Sequence, residues 1–329
     1  MKIASGELQT AHREPMTAGP LDEQFHIDPL RFNKPLHRPV LLNEVVALLD
    51  LKPGKIVVDC TVGMGGHSVA IAPRLLPHGR LIGIDRDAQA LEQARTRLME
   101  FHPQLELLHD NFRNLPAILQ RLGFTTVQGL VADLGMSSLH VDDAQRGFSF
   151  LKEGPLDMRM DQQQPTTAAM LLRRLSERDL AMLITTYGEE RWARRIAKRI
   201  VATRRRHPIE TTAQLAQLVT AAVPSARSSR RIHPATRTFL ALRIAVNDEL
   251  SALDSLLQVL PDVLAPEGRA VLVTFHSLED RLVKHAFRRG MQEGLFRLLT
   301  RKPIQPSVQE VAENPRARSA KLRAVERLP

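Results

Sequence analysis

The chain has 329 residues, a formal net charge of +10 and one cysteine, with 43% hydrophobic and 25% charged residues. This composition supports a sizeable core and excludes a mainly disordered chain, while the lone Cys60 excludes a disulfide scaffold and a cysteine-ligated zinc site. No apolar run reaches the ~18 residues of a membrane span and no secretory signal stands at Met1–Pro20, so a cytoplasmic address is expected.

Residues 1–34 are mixed polar with three prolines and no sustained period, and read as a flexible N-terminal extension. A short helix follows from Asn43 to Leu51 and stops at Pro53-Gly54. Ile56–Val58 is a β-branched run ending at Asp59, which fits a buried strand. The turn Gly63-Met64-Gly65-Gly66 leads into a helix over 67–76. Leu81–Ile84 is the next strand, ending at Asp85, and Asp87 is a suitable N-cap for a helix over 88–100. Leu105–Leu108 and Val127–Ala132 are the third and fourth strands, the latter ending at Asp133. Strands alternating with helices on short loops predict an α/β fold with an open, parallel, doubly wound sheet.

Residues 140–231 break this rhythm. They show helical periods over 165–174, 176–187, 189–204 and 211–223, the last with a Thr211/Gln214 capping box, and no convincing strand. A helix over 236–260 and a strand from Ala270 to Phe275 then resume the α/β pattern. The economical organisation is one α/β domain formed by 35–139 and 232–329, interrupted by an all-helical insertion over 140–231.

The charge follows the same division. It is −1 over 1–34, 0 over 35–139, +7 over 140–231, −4 over 232–280 and +8 over 281–329. The densest run, Arg191 to Arg206, contains no acid, and its spacing gathers Arg194, Arg195 and Lys198 on one helix face. Together with Arg204, Arg205 and Arg206 this face suits phosphate contacts, the alternative being a plain solvated surface. Arg316, Arg318, Lys321 and Arg323 form a second basic stretch.

Ligands of open α/β sheets bind beyond the carboxyl ends of the strands, where Asp59, Asp85 and Asp133 fall. Asp85 lies 19 positions after Gly66, where an acid accepts hydrogen bonds from ribose hydroxyls. A dinucleotide site wants a third glycine three positions after Gly65, but that position is Ser68. S-adenosylmethionine has no phosphate to cradle, and its ammonium suits Asp59 or Asp133. It is therefore favoured over a nicotinamide cofactor.

Further blocks extend this pattern: HRPVLLNEVV at 37–46, DCTVGMGGHS at 59–68, GRLIGIDRD at 79–87 and DLGMSSLHVDDAQRGFSF at 133–150. GPLDMRMD at 154–161, YGEERWARRIAKRIV at 187–201, HPATRTFLALRIAVNDEL at 233–250, TFHSLEDRLVK at 274–284 and AENPRARSAKLR at 312–323 complete it. In order, and over roughly 35–329, they resemble the bacterial small-subunit ribosomal RNA cytosine-N4 methyltransferases, the RsmH or MraW family. The resemblance implies a Rossmann-like methyltransferase sheet with an inserted helical domain. It also implies methyl transfer from S-adenosylmethionine to the N4 amine of a cytidine in the decoding region of small-subunit (16S) ribosomal RNA. Cofactor contacts carry over to Gly65, Gly66, His67, Asp85, Phe112, Asp133 and His140, the last standing where the family usually has Gln. The partner implied is ribosomal RNA or the assembled small subunit, with no metal and no membrane.

A cytosine amine is a poor nucleophile and must be held in line while its N–H groups are accepted. Many amino-methyltransferases use a Pro-Pro-aromatic motif after the fourth strand, whereas this chain has Asp133-Leu134-Gly135-Met136. Asp133, Ser137, Ser138 and the nearby backbone carbonyls are the candidate acceptors, and His276 or Ser277 is the candidate to line the cytosine pocket, with helix capping as the competing role for His276. No strong general base is expected, because the amine proton becomes acidic once the methyl has transferred. Phe148, Phe150 and Phe275 are candidate base-stacking rings, each with a core role as its alternative. The competing class is a non-catalytic RNA-binding or ribosome assembly protein on a methyltransferase scaffold.

Overall fold

A computed structural model describes residues 39–101, 104–224 and 233–329. The N-terminal extension expected over 1–34 lies outside the described residues. Helix α1 (Leu42–Leu49) precedes β1 (Ile56–Asp59), α2 (Gly66–Leu75), β2 (Arg80–Asp85) and α3 (Ala88–Leu98). Then come β3 (Leu105–His109), α4 (Leu115–Arg121), β4 (Val127–Asp133) and the short α5 (Ser138–Asp142). Helices α6 (Ala168–Arg174), α7 (Glu177–Gly188), α8 (Ala193–Arg204), α9 (Thr212–Ala222) and α10 (Thr236–Asn247) form the helical region. The chain returns through α11 (Glu249–Val263), β5 (Leu264–Thr274) and α12 (Ser277–Gln292). It ends with β6 (Phe296–Leu298), α13 (Val308–Glu313) and β7 (Lys321–Arg327).

The seven strands make one sheet in the order β3-β2-β1-β4-β5-β7-β6. Strands β1 to β5 are parallel, and β7 is antiparallel to both β5 and β6. The order reverses direction between β1 and β4, which makes their carboxyl ends the natural ligand crevice. Consecutive side chains point to opposite faces of a strand. In β5, Ala270 and Leu272 enter the core under α4, α11 and α12, while Val271 and Val273 enter the core under α1, α2 and α3. Burial on both faces explains why these strands read as continuous apolar runs.

A third core joins residues from Phe148 to Val246 and draws on α6 to α10. The helical packing therefore continues past residue 231 through α10. The single helix expected over 236–260 is two helices, separated at Asp248, whose φ is 49°. The break has a local cause. The Asn247 side chain accepts from the Met160 N–H at 2.8 Å and donates to the carbonyls of Met158 and Arg243. The Asn247 backbone carbonyl accepts from the Arg86 guanidinium at 2.6 Å. Asn-Asp is a pair that tolerates such a stop, since Asp visits the left-handed region at low cost.

Candidate active site

A cavity of about 400 Å³ opens where β1 and β4 end. Its wall on the sheet side is built from the glycine turn outward. Gly63 donates its N–H to Asp85 Oδ2 at 2.7 Å, and Asp87 donates to Asp85 Oδ1 at 2.9 Å. Asp85 is thus fixed at the tip of β2 with lone pairs left over for a further donor. Gly65 has φ 85° and starts α2, a conformation that disfavours any side chain. It does not line the cavity, whereas Gly66 and His67 do. A Cβ at Gly66 would lie 2.7 Å from Pro39 Cγ, so only glycine fits there.

Asp59 is turned away from the cavity. It accepts from Thr61 N–H at 3.1 Å and Ser68 Oγ at 2.7 Å, and burial pushes its carboxyl up to about 6. It shapes the turn and does not line the cavity, whereas Asp133 does. The Asp133 backbone N–H donates to Thr61 Oγ1 at 2.6 Å, while its Oδ1 is buried without a partner among the described residues. Burial, reinforced by the charge of Glu279, pushes Asp133 up to about 7. Its Oδ2 lies 3.7 Å from His67 Nδ1. His67 donates Nε2–H to the Val40 carbonyl at 3.1 Å, and burial lowers its pKa, so Nδ1 presents a lone pair. An orphaned carboxylate oxygen beside a neutral imidazole suits an incoming cationic donor.

Phe112 lines the cavity and packs on the sheet core. Ser137 also lines it, with a buried Oγ that has no partner among the described residues. The Ser138 side chain lies outside the described residues. His140 is buried and stands 2.7 Å from Asp87 Oδ2 through Nε2, leaving Nδ1 buried with no partner among the described residues. Burial pulls the Asp87 carboxyl up, yet His140 and Arg146 outweigh it and hold it at about 2. The His140 ring lies 4.9 Å from Phe148, which is buried in the helical core. Phe150 stacks on His233 at 4.5 Å. Of the three candidate stacking rings only Phe275 reaches the cavity wall. A Cβ on Gly135 would meet that ring at 3.0 Å, so this glycine permits its close approach.

His276 is a correction. It does not line the cavity. It caps α12, accepting the Glu279 N–H on Nδ1 at 3.4 Å, while Glu279 Oε2 accepts the His276 N–H at 3.3 Å. The proton then sits on Nε2, which faces Glu279 Oε1 at 3.1 Å. Glu249, His276 and Glu279 bring three donor atoms within 4.8 Å of one another. His276 Nδ1 is committed to the cap and Glu249 to Arg243, while His276 Nε2 makes no hydrogen bond among the described residues.

A comparison with known proteins bears on this geometry. The model of the MraW methylase family matches residues 34–328. The chain belongs to the MraW methylase family. It is 49% identical over 306 residues to a protein of Syntrophobacter fumaroxidans named Ribosomal RNA small subunit methyltransferase H, covering 88% of this chain and 96% of that one. Proteins of the same name from Geobacter sulfurreducens (49% over 307 residues; 89% and 99%) and Symbiobacterium thermophilum (46% over 307 residues; 89% and 96%) are similar. As a MraW methylase the chain is an S-adenosylmethionine-dependent transferase, and its orphaned Asp133 oxygen and anchored Asp85 fit that cofactor.

The MraW methylase also has cavity residues that motif reading missed: Met160, Arg243, Glu249 and Glu279. The only sequence signal for Arg243 is a cation among the apolar positions Phe239, Leu242 and Val246. On α8, Arg194, Arg195 and Lys198 are exposed opposite the buried Ile196, Ile200 and Val201, and Arg205 and Arg206 are exposed just beyond its end. Arg204 differs. Its guanidinium donates to the carbonyls of Leu172 and Leu175 at the end of α6, which makes it a helix cap. In the tail, Arg323 is buried on Asp280 at 2.7 Å and Lys321 shares that carboxylate at 3.1 Å, so both stabilise the β7–α12 contact. Arg316 pairs with Asp142 at 2.5 Å. Among the described residues no helix is long and apolar enough to cross a membrane.

Proposed function

We propose that this methylase transfers the methyl group of S-adenosylmethionine to the exocyclic N4 amine of a cytidine in the decoding region of small-subunit ribosomal RNA, in the cytoplasm. The relatives' shared name supports the RNA class. The observation that carries the site is the cavity itself. One wall ends in the unpartnered Asp133 oxygen, and another is supplied by Met160 and Arg243 from the helical region. Cofactor and base thus have separate walls around one space. Insert residues 140–231, with α10 packed on them, serve as the RNA-facing part.

In this reading Asp85 accepts from the ribose hydroxyls, Phe112 covers the adenine, Asp133 takes the ammonium and the N–H groups of Gly66 and His67 face the amino-acid end. His140 adds its Nδ1 as a further polar atom. The bound cofactor supplies an electrophilic methyl. The protein's part at the acceptor is to hold the amine in line and accept its N–H bonds, a task for Ser137 Oγ and the carboxylates of Asp133 and Glu279. The target base must leave its stack to reach them. Exposed guanidinium and ammonium groups on α8 hold the phosphates.

The experiment is incubation with labelled S-adenosylmethionine and unmethylated small subunits, followed by mapping of the modified nucleoside. The expected result is one N4-methylated cytidine. Cofactor binding without incorporation would support a non-catalytic assembly protein instead.

A further inference from the structure

Arg243 is 7% exposed and lines the cavity. Its Nε donates to Glu249 Oε1 at 2.9 Å and its Nη2 to Glu249 Oε2 at 2.7 Å. This fork fixes the guanidinium plane. An Arg carries five N–H donors, and Glu249 uses two. Nη1 has no partner among the described residues. Nη1 is not sealed in the core; it is open to the cavity that Arg243 lines, and so is available to an occupant. Phe275 and Met160 line the same cavity, giving it apolar surface, and Glu279 and Asp133 line it as acceptors.

We propose that Arg243, held flat by Glu249, is the residue that reads the acceptor edge of the target cytosine, its Nη1 donating to ring N3 and the neighbouring O2. The inference rests on the proposed cytosine reaction. Cytosine presents an N4 donor next to the N3 and O2 acceptors. A carboxylate beside a guanidinium complements that order. Uracil reverses the first two positions, setting its N3–H against Arg243 and its O4 against the carboxylates. Unlike charges and dipoles then become like ones, which is how a polar site rejects a near-isostere. An anionic occupant, such as the carboxylate of the cofactor, is disfavoured at Arg243 because Glu249 already pairs with its guanidinium, whereas Arg86 and Arg97 also line the cavity and offer cations elsewhere.

The test pairs a change in the protein with a change in the base. Small subunits are reconstituted with cytidine or 3-deazacytidine at the target, the latter carrying C–H in place of N3. Replacing N3 leaves the amine more electron-rich, so intrinsic reactivity alone does not slow the reaction. Wild type is expected to lose at least tenfold in kcat/KM on 3-deazacytidine. Arg243→Lys, which keeps a charge opposite Glu249, is expected to be slow on both substrates and to differ less than threefold between them. Its affinity for S-adenosylmethionine is expected to match wild type. Arg243→Gln serves as the second variant, with the same expectation, should the lysine not fit. Equal wild-type rates on the two substrates, undiminished discrimination by the folded variants, or loss of cofactor affinity in them would each overturn the proposal. Failure of wild type to methylate the cytidine subunits would instead overturn the cytosine reaction itself.

Discussion

The two walls of the cavity are built on different principles. On the sheet side, each functional group sits at the end of a strand or in the turn that follows it, and backbone hydrogen bonds fix it. Asp85 is held by two N–H groups, and Asp133 is placed by β4 and the Thr61 hydroxyl. On the far side, Arg243 is held by a side chain, Glu249, on the next helix, and its placement depends on the break at Asp248. The first wall is an outcome of topology. The second is an outcome of side-chain chemistry on helices, so a single substitution there is expected to alter selectivity more than cofactor binding.

The largest expected effect that tests this contrast is at Asp85. Asp85→Ala removes the acceptor for Gly63 and Asp87 as well as for the ribose, and S-adenosylmethionine affinity is expected to fall about 100-fold, from charge-assisted hydrogen bonds worth roughly 1.5–3 kcal/mol each. Calorimetric titration measures it, and an unchanged affinity would break the assignment of this wall.

Asp133 comes next. Its carboxyl is lifted from 3.8 to about 7, so the folded protein binds a proton that the unfolded chain releases between these values. The contribution of Asp133 to stability is therefore greatest below about pH 4 and declines as pH rises towards 7, by up to about 4 kcal/mol. Asp133→Asn is expected to melt several degrees above wild type at pH 8, with the gap closing near pH 4. Cofactor affinity of wild type is expected to drop about tenfold per pH unit below 7 as the carboxylate protonates. The asparagine variant is expected to bind weakly at every pH.

On α8 the contrast becomes a control. Replacing Arg194, Arg195 and Lys198 with Ala is expected to lower the salt slope of RNA binding by roughly one for each phosphate-binding cation removed. Arg204→Ala is expected to cost about 1–2 kcal/mol of stability by freeing two helix-end carbonyls, leaving the slope unchanged. A slope change in Arg204→Ala would return that residue to the RNA surface. The smallest effect is expected for His140→Gln, which keeps one acceptor and one donor near Asp87: cofactor affinity within threefold of wild type.

Much of the fold and of the sheet-side wall is legible in the sequence. Strands that end in Asp and helices that begin at a glycine turn or an Asp cap are local, periodic signals, and β1 to β4 fall within a residue or two of expectation. The tail is not legible in this way. Lys321 and Arg323 look like free cations in the sequence, yet alternate along an inner strand where Asp280 neutralises them. His276 shows the same limit, because a residue three positions from a Glu is chemically versatile until a cap fixes its tautomer. Arg243 is hidden for a third reason: nothing in a helical period says that a buried cation faces a cavity.

Asn247 has a consequence for how the molecule tolerates change. By gripping residues 158 and 160, it ties the outgoing chain to the returning one. The excursion between them is in effect a closed loop. Lengthening a closed loop is cheap, about 0.6 kcal/mol for each doubling. The helical region can therefore grow or shrink around its own core while the sheet below keeps its register, and a surface fitted to a large, variable RNA partner can diversify without disturbing the chemistry.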